Sequence, residues 1–158
     1  MRVRLDATDW RILRELQSDG RLTNVALAQR VGLSAPPCLR RVQALESAGF
    51  IRGYHAVLDT ALAGFEVSAF ALVTLRAQGE AELREFENLM LTWAPVREAY
   101  MLAGEADYIL KCVATDMTAF QAFVLDVLTP VPNVASVKTT LVLRRAKYEP
   151  GVPIDQRR

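Results

Sequence analysis

The sequence predicts an α+β fold in two parts, with helices alone at the N-terminus and alternating strands and helices after it. Between residues 6 and 49, apolar residues recur every three or four positions in three short segments, which is the period of amphipathic helices. From residue 66 onward, short apolar runs typical of strands alternate with two further helical segments. The charge also differs: residues 1–60 hold nine arginines and six acids, whereas residues 61–158 hold ten basic and twelve acidic residues.

Three helical segments with clear ends make up residues 1–53. Short polar side chains precede each segment, where they can accept hydrogen bonds from the unpaired N–H groups of a first helical turn. A glycine follows the second and the third segment, as it does at the end of many helices. The stretch Val31-Gly32-Leu33-Ser34 therefore predicts the tight turn of a helix-turn-helix. The capping and terminating residues are Asp6, Thr23 or Asn24, Gly32, Ser34 and Gly49.

The third helix divides into two faces when its residues are placed at intervals of about 100°. Leu39, Val42 and Leu45 are expected to pack against the first two helices. Cys38 falls beside them, so it is interpreted as a small buried residue. Arginines lie on the outward face, where they can pair bidentately with guanine, and the helix N-terminus suits a phosphate. The predicted DNA contacts are Ser34, Pro36, Pro37, Arg40, Arg41 and Gln43. The alternative is a structural three-helix bundle with a solvated charged face.

The remainder of the chain has the order β-α-β-β-α-β. Strands are expected over residues 66–76, 96–103, 107–114 and 134–143, with helices over 79–93 and from Asp116 to just before Pro130. That order is typical of a ferredoxin-like domain. A shorter strand over 51–58 is interpreted as the connector. The sequence thus predicts a winged-type helix-turn-helix domain at 1–53, a connector at 54–64, a ferredoxin-like domain at 65–148 and a mobile tail at 149–158.

Helices and a second subunit are expected to cover the two faces of the sheet of this domain. The stretch from Ala69 to Val73 is wholly apolar, so both faces of that strand are expected to be covered, one by helices and the other by a partner subunit. The side chains expected to point inward are Leu83, Phe86, Met90 and Trp93 from the first helix and Met117, Phe120, Val124 and Leu128 from the second.

Composition argues against several classes of protein. A net charge of +1 does not make the whole chain a polycation, and no apolar run approaches the roughly 18 residues that a membrane span needs. We therefore expect a cytoplasmic, nucleoid-associated protein that contacts no membrane. Cys38 and Cys112 lie in different predicted domains and are interpreted as reduced thiols. With one histidine, no metal-ligand cluster and no nucleophile–base pair, the sequence predicts no metal, no cofactor and no catalysis.

The helix-turn-helix residues resemble those of a known bacterial family. The stretch GRLTNVALAQRVGLSAPPCLRRVQALESAGFIRGY is similar to the corresponding region of the Lrp/AsnC, or feast/famine, regulators, and closest to their leucine-responsive branch. The similarity continues on both sides and covers residues 5 to about 148. The resemblance implies a C-terminal ferredoxin-like domain that binds amino acids. It also implies homodimers whose β-sheets face each other and which assemble into octamers or similar discs.

The same resemblance points to an effector site. The family carries a Gly-acid-aromatic-Asp-Tyr motif between its two middle strands, and here residues 104–108 read Gly-Glu-Ala-Asp-Tyr. Asp107 can supply an anion for the ammonium of an amino acid, and N–H groups around Gly104 can bind its carboxylate. Ala106 replaces the aromatic, which leaves the ligand open; without the resemblance the segment would be an ordinary β-turn with a solvated acid. The candidate effector residues are Met101, Leu102, Gly104, Glu105, Asp107, Tyr108, Met117, Thr140, Leu141 and Val142.

These observations predict a transcriptional regulator that binds double-stranded DNA sequence-specifically and responds to a small amino acid. An aliphatic effector such as leucine or methionine is preferred because of the leucine-responsive resemblance. One alternative is an architectural DNA-wrapping protein without an effector response. Another is an amino-acid-metabolising enzyme or its regulatory subunit, against which the lack of catalytic groups argues.

Overall fold

The computed structural model describes residues 4–155, which form two compact units, one of residues 4–57 with 147–155 and one of residues 58–146. The first unit contains α1 (Ala7–Ser18), α2 (Asn24–Val31) and α3 (Ala35–Ser47). The second contains β1 (Val67–Leu75), α4 (Glu80–Met90), β2 (Val96–Met101), β3 (Tyr108–Ala114), α5 (Met117–Ala122) and β4 (Val134–Leu141). This element order confirms the predicted α+β fold, a helix-turn-helix followed by a ferredoxin-like β-α-β-β-α-β unit. None of the helices described is both long and apolar enough to cross a lipid bilayer.

The three N-terminal helices begin and end where the capping residues predict. Asp6 accepts hydrogen bonds from the N–H groups of Thr8 and Asp9, and the Asp9 side chain accepts from the Asp6 N–H in return, which completes a capping box. Thr23 caps α2 through a bond from the N–H of Ala26. Gly32 ends α2 at φ +75, a left-handed conformation that glycine adopts without steric cost.

The core of the helical unit corrects the prediction for Leu39. Its fully buried members are Ile12, Leu27, Ala28, Val31, Cys38 and Leu45, with Val42 partly buried against them. Leu39, by contrast, is 45% exposed. The buried stripe therefore runs through Cys38, Val42 and Leu45, spaced four and three apart, and Leu39 lies outside it.

The second unit is a four-stranded antiparallel sheet in the order β2-β3-β1-β4, with helices on one face. Ala69, Ala71 and Val73 alternate along β1 and pair with Cys112, Leu110 and Tyr108 of β3; all six are buried beneath the helices. The intervening side chains of β1, among them Phe70 and Leu72, point to the opposite face and are half-buried. We call that second surface the open face of the sheet, because the helices leave it uncovered.

The last helix changes from an α-helix to a π-helix partway along its length. Beyond α5 the helix continues as a π-helix over Phe123–Leu128, in which the Thr129 N–H donates to the carbonyl of Val124 five residues earlier. The wider turn brings Phe123 and Leu128 into the core together with Phe120. Met117 was expected to face inward but is 49% exposed, because it lies in the first turn, before the buried stripe begins.

The connector and the tail also differ from expectation. No strand forms over 51–58, because no neighbouring strand of the described chain pairs with it. The tail, as far as residue 155, belongs to the helical unit: Gln17 of α1 donates to the Val152 carbonyl and accepts from its N–H, at 2.7 and 3.0 Å. Gly151, at φ +84, makes this contact possible, since a Cβ there would meet the Gln17 carboxamide oxygen at 2.2 Å. Residues 156–158 of the predicted tail and 1–3 of the predicted first domain lie outside the described chain.

Candidate functional site

The N-terminus of α3 presents a small set of hydrogen-bond donors. Ser34 occupies the N-cap position, but its side chain makes no capping hydrogen bond, so its hydroxyl can bond elsewhere. Pro36 and Pro37 occupy the first turn and carry no N–H. The donors available to an anion at this helix end are therefore the Ser34 hydroxyl and the N–H groups at its very start, chiefly that of Ala35.

The outward face of α3 carries Leu39, Arg40 and Gln43, all exposed. Within residues 4–155, Arg40 has neither a hydrogen bond nor an ion pair to another protein group. Gln43 lies one turn beyond Leu39 and Arg40 on the same side of the helix. Such a face offers a cation, an amide and an apolar group, which are the three chemistries that distinguish base pairs in a major groove. Pro36 is exposed on the turn before it, and Pro37 is partly buried.

Arg41 is engaged within the protein. Its Nη1 donates to Asp9 Oδ1 at 2.7 Å and to Asp6 Oδ2 at 2.8 Å, so that it joins α3 to the beginning of α1. The hydrogen bond to Asp9 and then that to Asp6 raise the pKa of Arg41. The pKa of Asp6 is lowered, first by the hydrogen bond from the backbone of Asp9 and also by Arg41. Asp6 was predicted only as the N-cap of α1, and the pairing of Asp6 and Asp9 with Arg41 could not be predicted without knowledge of the tertiary packing.

Two further polar contacts fix the helices of this unit. Asn24, at the start of α2, donates from its side-chain amide to the carbonyl of Ala35 at 2.7 Å. Arg30 of α2 pairs with Glu15 of α1 at 3.1 Å. The Arg30–Glu15 pair joins α2 to α1, whereas the Asn24 and Arg41 contacts hold the N-terminal half of α3 and leave Arg40 exposed.

A cavity of about 320 Å³ lies at one end of the sheet in the second unit. Its walls come from the end of β1, the loop between β2 and β3, and the middle of β4. Glu105 and Lys138 are the charged residues among its lining, and they are of opposite sign. The lining residues are Leu72, Thr74, Leu102, Ala103, Gly104, Glu105, Ala106 and Lys138.

The β1–β4 pairing explains why Lys138 belongs to this cavity. Lys138 is the register partner of Leu72, and both side chains lie on the open face of the sheet. Thr140 lies two residues further along β4, opposite Phe70. The alternation of side chains along β4 is visible in the sequence, but the pairing that brings Lys138 beside the loop of residues 102–106 is not.

Asp107 does not line the cavity. Its Oδ2 accepts a hydrogen bond from the backbone N–H of Leu75 at 2.6 Å. Its own N–H donates to the carbonyl of Val73, and its carbonyl accepts from the N–H of Leu102. Three strands thus meet at this residue, and its carboxylate is partly buried among them.

Tyr108 lies on the opposite side of the sheet from the cavity. It is buried, its ring packs 5.2 Å from that of Phe86, and its hydroxyl donates to Glu87 at 3.0 Å. Burial, with the hydrogen bond to Glu87, raises the pKa of Tyr108 to about 12. The side chain therefore contributes to the core, away from the loop of residues 102–106.

Only some of the predicted effector residues line the cavity. Leu102, Gly104 and Glu105 line it, whereas Met101 pairs with Tyr108 in the β2–β3 ladder and Met117 is exposed at the start of α5. The remaining candidates in β4 and directly after it do not reach the lining; they are Thr140, Leu141 and Val142. The lining residues that the sequence did not single out are Leu72, Thr74, Ala103 and Lys138.

The sequence matches two described families along almost its whole length. Residues 68–152 match the Lrp/AsnC ligand binding domain, and residues 5–52 match a winged helix-turn-helix DNA-binding family. The chain is 52% identical over 147 residues to a leucine-responsive regulatory protein of Rhizobium meliloti (strain 1021), covering 93% of this chain and 94% of that protein. It is 39% identical over 150 residues to the Bkd operon transcriptional regulator of Pseudomonas aeruginosa, covering 95% and 98%.

A solved structure agrees with these relatives. The crystal structure of a transcriptional regulator from Neisseria meningitidis in complex with L-Met has a TM-score of 0.91 to this chain, at 40% identity, covering 96% of this chain and 98% of that one. The matched domains bind DNA and a ligand and are not catalytic, so the chain is a regulator and not an enzyme. With a DNA-binding helix-turn-helix and an amino-acid-binding domain in one polypeptide, the chain belongs to the Lrp/AsnC family of transcriptional regulators.

Proposed function

We propose that this regulator binds DNA sequence-specifically through α3 and that a free aliphatic amino acid, bound in the cavity beside Lys138, changes its assembly or its DNA binding. The observation that carries the proposal is the pairing of Glu105 and Lys138 on one cavity of about 320 Å³. A free amino acid is a zwitterion, and opposite charges on one cavity match its two ends. The volume is at the lower end of the range of ligand pockets, which suits a small molecule.

In the proposed complex, the amino acid is held at both ends. The Glu105 carboxylate accepts hydrogen bonds from the ammonium group, and the Lys138 ammonium pairs with the carboxylate. Leu72 and Leu102 provide an apolar wall for the side chain of the ligand. Such a wall favours leucine or methionine, and the relative from Neisseria meningitidis is a complex with L-Met.

On DNA, Arg40 is the proposed base-reading residue and Ser34 a phosphate contact. Arg40 is exposed and unpaired within residues 4–155, so that its guanidinium can reach a guanine edge without breaking a contact in the protein. Leu39 beside it can contact a thymine methyl group. A dimer would present two such helices to half-sites about one helical turn apart, on chromosomal DNA in the cytoplasm where a nucleoid-associated regulator acts.

The open face of the sheet supports a homodimer. It carries the half-buried apolar side chains of Phe70, Leu72, Ile109 and Val113, which water would otherwise contact. Leu72 and Lys138 belong to both this face and the cavity, so a second copy on the face would lie against the ligand. Ligand binding and assembly are then thermodynamically linked, because each changes the contacts available to the other. Further assembly of dimers into octamers or similar discs is part of the proposal.

Two measurements test the function. A thermal-shift screen of the common amino acids should show the largest stabilisation with leucine or methionine, since a ligand that binds only the native state raises its Tm. Arg40→Ala should weaken specific DNA binding by about 1–3 kcal/mol while leaving binding to random DNA less affected. Equal losses on specific and random DNA would contradict base reading by Arg40. No shift with any amino acid would support a purely architectural DNA-binding role instead.

A further inference from the structure

We propose that Asp107 is a positioning residue of the effector site, which holds the cavity loop in place by a hydrogen bond to β1, and that Glu105 alone supplies the anion for the ligand ammonium. This inference rests on the proposed function for the cavity and assigns a different role to each of its two neighbouring carboxylates. The reason lies in where the two side chains are placed. Glu105 lines the cavity, whereas the Asp107 carboxylate is bonded within the sheet.

Asp107 closes the loop that forms most of the cavity wall. Its carbonyl accepts a hydrogen bond from the Leu102 N–H at 2.8 Å, so residues 102 and 107 are joined at the base of the loop. Its N–H donates to the Val73 carbonyl at 2.9 Å, which attaches that base to β1. Five of the eight lining residues lie between these two points, from Leu102 to Ala106.

The side chain of Asp107 satisfies a backbone donor that the sheet leaves unpaired. The register of β1 with β4 shifts between Thr74 and Leu75, as at a β-bulge. Leu75 is 3% exposed, so water cannot readily satisfy its N–H group, and a buried donor without a partner is costly. Asp107 Oδ2 accepts from this N–H at 2.6 Å.

The Leu75 contact links the loop to the strand that carries Lys138. Directly after Leu75, the N–H groups of Arg76 and Ala77 donate to the carbonyl and side-chain oxygens of Asn133, at 2.8 and 2.9 Å. Asn133 returns a hydrogen bond to the Ala77 carbonyl at 3.0 Å and directly precedes β4. Asp107 thereby fixes the position of the loop that bears Glu105 relative to β4, which bears Lys138. It therefore sets the distance between the Glu105 and Lys138 charges that face the ligand.

Substitution of the two carboxylates by their amides separates the roles. An asparagine at 107 retains an oxygen that can accept from the Leu75 N–H, whereas a glutamine at 105 loses the negative charge that the ammonium needs. By calorimetry with L-leucine and L-methionine, Asp107→Asn should keep affinity within about threefold of wild type. Glu105→Gln should lose at least tenfold, with an unchanged Tm. Asp107→Ala should lose both affinity and Tm, and asparagine at the same position should restore them.

The opposite pattern would overturn the inference: a large loss of affinity in Asp107→Asn beside wild-type affinity in Glu105→Gln would make Asp107 the counter-ion. Amide hydrogen exchange gives a second readout that needs no ligand. Leu75 and residues 102–106 should stay protected in Asp107→Asn and exchange faster in Asp107→Ala; equal exchange in all three proteins would refute the positioning role. If the wild type binds no amino acid, the proposed function fails, and the exchange data alone decide whether Asp107 positions the loop.

Discussion

Replacing Arg41 with alanine should destabilise the helical unit without removing a DNA contact. The variant loses two charge-assisted hydrogen bonds to the beginning of α1, at 2.7 and 2.8 Å. A hydrogen bond to a charged group contributes about 1.5–3 kcal/mol when well shielded, and an exposed pair about 0–1 kcal/mol. The Asp9 side chain is 16% exposed but those of Arg41 and Asp6 are 37% and 53% exposed, which reduces the contribution through solvent screening. We expect a net loss of about 1–2 kcal/mol in the free energy of unfolding.

Calorimetry and a salt titration of DNA binding together check this expectation. For a unit of this size each kcal/mol corresponds to a decrease in Tm of about 4–8 °C. The slope of log affinity against log salt should stay at the wild-type value, because the Arg41 guanidinium is already paired with Asp6 and Asp9. Asp9→Ala and the double variant serve as controls, and their effects should be less than additive. An unchanged Tm together with a salt slope that falls by about 0.9, the change that one lost phosphate contact produces, would show that Arg41 contacts DNA and does not stabilise the helical unit.

The same contacts predict the pH dependence of the difference between Arg41→Ala and wild type. The pKa of Asp6 is lower in the folded protein than in an unfolded chain. Its contribution to stability is therefore present above the ordinary aspartate pKa of about 3.9 and is lost as the pH falls through the folded value. Because Arg41 is one of several causes of this lowering, the Tm difference between the two proteins should shrink in part as the pH is lowered below about 4.

Three further substitutions test particular contacts. Leu39→Ala should lower the free energy of unfolding by less than about 1 kcal/mol, because the side chain is 45% exposed. Leu45→Ala in the core should lower it by about 2–5 kcal/mol. Similar losses for both variants in urea unfolding would contradict the assignment of Leu39 to the exposed face of α3. Gly104→Ala should leave Tm unchanged, since an added Cβ meets no protein atom within 4 Å. It should weaken amino-acid binding if the ligand carboxylate lies against the backbone of Gly104. Unchanged calorimetric affinity would show that the carboxylate does not lie there. Gly151→Ala should detach the tail from α1, and Gln17→Ala should do the same. The measurement is proteolysis near residue 152, which should be faster in both variants. Wild-type resistance to proteolysis in both would show that other contacts hold the segment.

Local signals predicted the helical unit and the element order well. N-caps such as Asp6 and Thr23, the turn at Gly32 and the change from helical to strand periodicity depend on neighbours in sequence. The strand expected at 51–58 failed because an apolar run forms a strand only when another strand pairs with it. The spacing of the inward side chains in the last helix assumed a regular α-helix, so it did not predict that the π-helix over Phe123–Leu128 also buries Phe123.

The candidate site was predictable only at the level of its loop. The motif at residues 104–108 was recognised from the sequence, and Gly104 and Glu105 line the cavity. Lys138 was missed because strand register determines its position, and register is a long-range property. The contacts of Asp107 and Arg41 were missed for a related reason. A charged residue on a suitable face can bind a ligand or bond within the protein, and only the tertiary structure separates the two.

The hydrogen bonds of Gln17 to Val152 have a topological consequence. Because residues 147–155 belong to the helical unit, the amino-acid-binding domain is an insertion between two parts of that unit, attached to it at both ends. The chain therefore passes between the two units twice, at residues 57–58 and at residues 146–147. Cutting the chain near residue 146 would remove one attachment without touching either site. The effect on DNA affinity would measure how much the second attachment contributes to regulation.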